Sequence, residues 1–185
     1  MTILDEAITY AVQANAGAYR KGTNTPYILH PLEVAAIVAT MTDDLEIIAA
    51  AVLHDTVEDT PVSLAEFADK FGHRVADIVN SETENKRQGQ SASETWLIRK
   101  QETIEHLSKE SDLDVKMVAL GDKLSNIRAI YRNHLEMGDE VWARFNQHDP
   151  NLHGWYYRAI AEVTRELQQY PAWQEYNTLV EKVFS

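Results

Sequence analysis

The sequence predicts an all-α fold, a bundle of about eight to ten helices. Apolar residues recur every three to four positions, as at Ile3, Ala7, Ile8, Ala11 and at Val34, Ile37, Val38, Met41. That spacing lines one face of a helix. No stretch alternates with the period of two expected of a half-buried strand. The few Gly and Pro residues, 7 and 5, stand where helices should start or stop. At ~11 residues per helix, the 185 residues hold that number of helices. The length suits one domain, 1–185, with a core large enough to need no disulfide or metal staple.

In chain order, the first helix carries the stripe from Ile3 to Ala11. Pro31 suits the first turn of the next, where its missing N–H has no intrahelical partner to lose. Ile47–Leu53 is small and apolar throughout, the signature of a helix deep in a bundle. Ser63-Leu-Ala-Glu66 and Ser91-Ala-Ser-Glu94 both read as capping boxes, in which the serine and glutamate satisfy two free backbone N–H groups. Gly72 reads as a helix stop. Asn85–Ser93 reads as a mobile loop. A helix follows through Val118-Ala-Leu, and two amphipathic structural helices, Trp155–Gln169 and Pro171–Phe184, close the same domain over 133–185. In the aromatic and His-rich segment before and within the first of these, Tyr156 and Tyr157 are expected in helix packing, with the lining of a nucleotide pocket as the alternative.

Charge and composition exclude several classes. With 17 Lys and Arg against 29 Asp and Glu the net charge is -12, which repels duplex nucleic acid at long range. A small phosphorylated ligand needs only a few local cations. There is no cysteine, so a disulfide scaffold, a Cys-zinc site and a thiol nucleophile are excluded. The longest apolar run, Ile47 to Leu53, is far below the ~20 residues of a membrane span. The start, Met1-Thr-Ile-Leu-Asp-Glu6, is not that of a signal peptide. No membrane partner and a cytoplasmic location are expected.

Chemistry concentrates in Ile47-Ile-Ala-Ala-Ala-Val-Leu-His54-Asp55-Thr-Val-Glu58-Asp59. On one continuous helix His54 would neighbour Glu58, and Asp55 would neighbour Asp59. Between Lys21 and Lys70 there are nine acidic residues and no Lys or Arg. Clustered carboxylates at the end of an apolar helix need a cation or strongly raised pKa values, and a divalent metal supplies the first. His30, in Tyr27-Ile-Leu-His30-Pro31, and Asp122, in Gly121-Asp122-Lys-Leu-Ser-Asn126, complete a set with His54 and Asp55 of two nitrogen and two oxygen donors. That set suits a mid-series divalent ion with open positions. Gly121 weakens a helix and suggests a close approach by backbone or ligand. Arg20 and Lys21 are the only basic residues among the first 60; facing an acidic metal site they would hold a polyphosphate, and Arg stacks on purine faces. Lys123, Arg128 and Arg132 read as a mixed surface.

The order His…His-Asp…Asp resembles that of the HD phosphohydrolase superfamily. The finer pattern is similar to the hydrolase domain of RelA/SpoT-type alarmone enzymes in their small single-domain form. The stretches that carry it are Arg20-Lys21…Pro26-Tyr-Ile-Leu-His-Pro31, Leu53-His-Asp-Thr-Val-Glu-Asp-Thr60, Phe71-Gly-His-Arg-Val-Ala76 and Gly121-Asp-Lys-Leu-Ser-Asn-Ile-Arg128, within about residues 5–132. The resemblance implies an HD-type helical bundle and a manganese-dependent 3′-pyrophosphohydrolase of guanosine tetra- and pentaphosphate that releases pyrophosphate. It implies metal ligation by His30, His54, Asp55 and Asp122, with Glu58 and Asp59 as the catalytic acid–base pair. Arg20, Lys21, Tyr27 and Asn126 would contact a small nucleotide substrate. The chain departs from the family pattern at Asn15, Ala18, Ser81–Glu84, Gly121 and Ser125. Those at Asn15, Ala18 and Ser81–Glu84 motivate an alternative, the same metal chemistry on another nucleotide such as the 2′-phosphate of NADPH. A non-catalytic sensor would be expected to lose a ligand or the Glu-Asp pair, and neither is lost.

Overall fold

The computed structural model describes residues 1–59, 63–85, 87 and 89–185, with Glu58 and Asp59 described by their helical backbone alone. Among the described residues there are ten α-helices and two 3-10 turns. The helices are α1 (Ile3–Ala14), α2 (Leu29–Val38), α3 (Leu45–Leu53), α4 (Thr56–Asp59), α5 (Leu64–Phe71), α6 (His73–Glu82), α7 (Trp96–Lys109), α8 (Leu113–Met137), α9 (Pro150–Val163) and α10 (Pro171–Phe184). The 3-10 turns are Gly138–Arg144 and Arg165–Leu167. The fold is all-α, and extended pairing among the described residues is limited to an isolated bridge between Tyr19 and Pro26. None of the described helices is long and apolar enough to cross a membrane.

Helix α3 is the hub. Every residue from Ile47 to Leu53 is buried, and the helix packs against α1, α2, α6 and α8. Burial on all sides explains why it shows no apolar stripe. The long α8 packs against α2 and α10, which joins the helices after residue 132 to those before it.

The caps follow the sequence in one place and not in another. Ser63 and Glu66 form the expected capping box, and α5 ends at Gly72, whose N–H donates to the Ala68 carbonyl over 2.8 Å. The box expected at Ser91–Glu94 does not form. These residues make turns, Thr95 is the N-cap with no side-chain capping bond, and α7 begins at Trp96. Trp96 and Thr95 are buried, and the Thr95 hydroxyl donates to the Ser91 carbonyl. Burial of the indole thus sets the start of this helix. The described residues of 85–93 lie outside helices.

Two features of α3 and α8 shape the site. The helix running toward Glu58 and Asp59 is not continuous: α3 stops at Leu53, His54 and Asp55 form a turn, and α4 follows. The pairing of His54 with Glu58 and of Asp55 with Asp59 on one helix is therefore corrected. On α8, a Cβ added to Gly121 would lie 2.9 Å from Val38 Cγ2, 3.2 Å from Val34 Cγ1 and 3.3 Å from the Val34 carbonyl oxygen. The glycine lets α8 lie directly against α2, so the close approach is by backbone.

Candidate metal centre and cationic cleft

Three elements bring four donor side chains together. His30 is the second residue of α2, His54 caps α3, Asp55 follows it, and Asp122 lies within α8. Asp122 Oδ1 is 3.1 Å from His30 Nε2 and 3.7 Å from His54 Nε2. Asp55 Oδ2 is 3.1 Å from His54 Nε2 and 3.7 Å from His30 Nε2. Donors about 2.0–2.3 Å from a shared ion stand about 3–3.5 Å apart in tetrahedral or octahedral arrays, so these separations fit one ion. His30, His54 and Asp122 also offer donor atoms within 4.8 Å of one another, and all three are buried.

The outer hydrogen bonds aim the ring nitrogens. His54 Nδ1 is 2.8 Å from the Ala51 carbonyl, which can only accept, so Nδ1 carries the proton and the neutral ring presents a lone pair at Nε2. That buried Nε2 has no hydrogen-bond partner among the described residues, an orphan that a metal would satisfy. Ser125 Oγ donates to Glu33 Oε2 over 2.8 Å. Its proton is thus committed, and it accepts from His30 Nδ1 at 2.9 Å. Ser125, one of the departures from the family pattern, thereby orients a ring of the cluster.

Electrostatics favour a cation here. Burial would raise the Asp55 and Asp122 carboxyls. It is overruled at Asp55 by His54, and at Asp122 by Lys123 and both imidazoles, so both are held well below the usual carboxylate range. Burial disfavours charge on either imidazole. For His30 it prevails and lowers the pKa, whereas for His54 the pull of Asp55 and Asp122 holds it well above the ordinary value. The negative field that favours a proton at His54 Nε2 equally favours a divalent ion in its place. The cluster is a His/Asp site able to hold a divalent ion.

Beside it opens a cleft of about 440 Å³. Its walls carry six cations, Arg20, Lys21, Lys100, Lys123, Arg132 and Arg144, and no Asp or Glu among the described lining residues. In a chain of net charge -12, that is a local reversal of sign. Trp96, Phe145, His153, Tyr156 and Tyr157 supply an aromatic wall. The cleft is wired to the metal-type cluster. Arg20 Nη2 donates to Asn126 Oδ1 over 3.0 Å, and Asn126 Nδ2 donates to Asp122 Oδ1 over 2.6 Å. The Arg20 guanidinium lies 5.9 Å from the Tyr27 ring centre, and the Tyr27 hydroxyl donates to Asp55 Oδ2 over 2.5 Å. Lys123 pairs with Asp122 Oδ2.

All four residues assigned from the sequence to substrate contact, Arg20, Lys21, Tyr27 and Asn126, line this cleft. The side chains of Glu58 and Asp59 lie outside the described residues. Sequence reasoning favoured packing and surface roles for most of the far wall. Lys123 and Arg132 are not a mixed surface but line the cleft, while Arg128 pairs with Glu33 and Glu175. Tyr156 and Tyr157 are buried and line the cleft as well. One signal was present: Lys123, Asn126, Ile130 and Asn133 share a face of α8 by their spacing. Near Lys123, burial pushes the Glu82 carboxyl up to about 7, with Asp122 and Asp55 reinforcing the shift and Lys123 and His54 opposing it.

Fold and site together define an all-helical domain with a buried His/Asp cluster, and the chain belongs to the HD-domain family, whose model matches residues 7–148. A Danio rerio guanosine-3′,5′-bis(diphosphate) 3′-pyrophosphohydrolase, MESH1, is 36% identical over 133 residues, 70% of this chain and 70% of that protein. A Myxococcus xanthus GTP pyrophosphokinase is 33% identical over 152 residues, covering 80% of this chain and 19% of that protein. The chain thus spans about one fifth of the length of such relatives. Among solved structures, lmo0812 from Listeria monocytogenes EGD-e superposes with a TM-score of 0.73 at 32% identity over 88% of this chain and all of that one. A metazoan ortholog of SpoT that hydrolyses ppGpp shares the fold, with a TM-score of 0.73 at 24% identity over all of this chain and 94% of that one.

Proposed function

We propose that residues 1–185 form one domain that hydrolyses guanosine 3′,5′-bis(diphosphate) and the pentaphosphate at the 3′-pyrophosphate, releasing pyrophosphate. The observation that carries this reading is the juxtaposition of a buried His/Asp cluster with a cleft of six cations and no described acid in an acidic chain. A small polyanion is the ligand such a cleft attracts. The relationship to the MESH1 hydrolase supports the guanosine 3′-pyrophosphate as that polyanion.

His30, His54, Asp55 and Asp122 would hold one divalent ion, manganese in this reading. When bound, the ion supplies Lewis acidity and lowers the pKa of a water. The residues of the chain do the rest. Ser125 and the Ala51 carbonyl keep both imidazoles turned nitrogen-inward. Tyr27 and Asn126 brace the two carboxylates. Glu58 and Asp59 follow His54 and Asp55 by four residues in the chain and serve as the acid–base pair that takes a proton from water and returns one to the leaving group. Arg20 and Lys21 hold base and phosphate, and the other cations of the cleft neutralise the remaining phosphate charge.

The aromatic wall favours a second reading, because stacking accepts any base. In it the same chemistry acts on another nucleotide, such as the 2′-phosphate of NADPH. A product assay with manganese across a nucleotide panel decides. Fastest release of pyrophosphate from the guanosine 3′-pyrophosphates is expected. Faster phosphate release from NADPH would establish the second reading, and no release from any member would overturn both.

A further inference from the structure

One group of charges lies on the α6–α7 side of the cleft, away from the Arg20 loop in sequence. Glu84, just past the end of α6, accepts from Arg99 Nη1 over 2.7 Å and from Lys100 Nζ over 2.6 Å. Arg99 also donates to the Ala92 carbonyl, so it ties Glu84 to the 85–93 connection by itself. Lys100 is surplus to that tie. Its side chain is only 18% exposed, its ammonium lies 4.9 Å from the Tyr156 ring centre, and it lines the main cleft together with Lys123. Lys123 in turn touches the cluster carboxylate Asp122.

Lys100 and Lys123 share one partly dry cleft, where like charges repel, and burial disfavours the charge of Lys100. Glu84 compensates one positive charge, yet two cations bind it. An ammonium has three donors, and at Lys100 one of them is committed to Glu84. The remaining donors and the uncompensated charge call for an anion beside the metal-type cluster. At the other end, two further cations stand at the 144–146 connection. Lys21 donates to Asn146 Oδ1 over 2.5 Å, and the Arg144 side chain is packed against Gly22.

We propose that Lys100, beside Lys123, binds the departing pyrophosphate group, and that Glu84 is the positioning residue that holds the Lys100 ammonium toward the cleft. This rests on the hydrolase reading above. It divides the cleft into an inner subsite for the pyrophosphate transferred to water, whose bond to the nucleoside 3′-oxygen breaks, and an outer one, at Arg144, for the phosphates that stay on the nucleoside.

Binding tests it without turnover. The manganese-loaded protein is titrated calorimetrically with inorganic pyrophosphate and, separately, with GDP. Lys100→Gln should weaken pyrophosphate by ~10-fold, the size of one charge-assisted hydrogen bond, and GDP by less than ~2-fold. Glu84→Gln should weaken pyrophosphate by about 3-fold, Lys100→Arg should restore most of the affinity, and Arg144→Gln should show the opposite preference for ligand. A Lys100→Gln protein that binds pyrophosphate normally, or that loses both ligands equally, overturns the assignment. Should that variant fail to fold, acetylation of the unmutated protein mapped by mass spectrometry replaces it. Pyrophosphate but not GDP should shield Lys100, and no shielding overturns the proposal. Because both readouts are equilibrium binding, a protein that binds pyrophosphate through Lys100 yet turns over no guanosine substrate would refute only the hydrolase reading.

Discussion

Replacing Gly121 by alanine tests how the cluster is assembled. The added Cβ would stand 2.9 Å from Val38 Cγ2, closer than carbon atoms pack, and 3.3 Å from the Val34 carbonyl oxygen. Neither neighbour yields easily: a β-branched side chain in a helix has one favoured χ1 rotamer, and the carbonyl belongs to the α2 backbone. Overpacking of this kind costs ~1–3 kcal/mol, while alanine for glycine within a helix returns ~1 kcal/mol. The net expectation is a loss of about 0–2 kcal/mol in stability, a small effect. The larger effect falls on the metal. His30 rides on α2 and Asp122 is the next residue after Gly121, so prying the helices apart by a few tenths of an ångström stretches the 3.1 Å approach of Asp122 Oδ1 to His30 Nε2. Manganese affinity should drop by about 10-fold, within the range for disturbing the support of a metal site. Thermal unfolding with and without manganese, together with calorimetric titration of the metal, measures both. The double variant Gly121→Ala, Val38→Ala opens space for the Cβ and should recover most of the metal affinity while losing core stability. A Gly121→Ala protein that is more stable than the parent and binds manganese equally well would refute the reasoning.

Three other outcomes are expected. Glu58→Gln and Asp59→Asn should keep the far-ultraviolet circular dichroism and most of the manganese affinity but lose ~10²–10⁴-fold in kcat; near-normal rates in both would remove the acid–base assignment. Arg20→Ala should raise KM by ~2–30-fold, the span of a cation–π contact, with kcat little changed. An equal fall in kcat would instead mark the Arg20–Asn126–Asp122 chain as the element that matters. For Glu82, the folded pKa of about 7 lies above the ordinary 4.5, so between these values the folded state holds the proton longer, and stability falls as pH rises through that window. In metal-free protein Glu82→Gln should flatten the fall and gain at most about 3 kcal/mol at pH 8, read from urea unfolding at pH 5 and pH 8; unchanged slopes would count against the shift.

The sequence by itself determined the helical class, because periodicity and capping chemistry are local. Ser63 and Glu66 could be paired by reading four consecutive letters. It also exposed the reactive cluster, because nine acids without a cation between Lys21 and Lys70 pose an electrostatic problem wherever the chain goes. Gly121 announced a close approach but not its partner, since Val34 and Val38 lie more than 80 residues earlier in the chain. Local reading failed where packing outweighed it. Burial of Trp96 overrode the serine-rich cap before it, and the turn at His54–Asp55 interrupted what looked like one helix. The cationic cleft as a whole was decided by tertiary structure, although Arg20 and Lys21 were legible as its near side. Its six cations come from the Arg20 loop, α7, α8 and the Gly138–Arg144 turn, and in sequence they are scattered between residues 20 and 144. Charges act through space with a reach of about 8–10 Å in salt, so only the packing of those elements could gather them into one field.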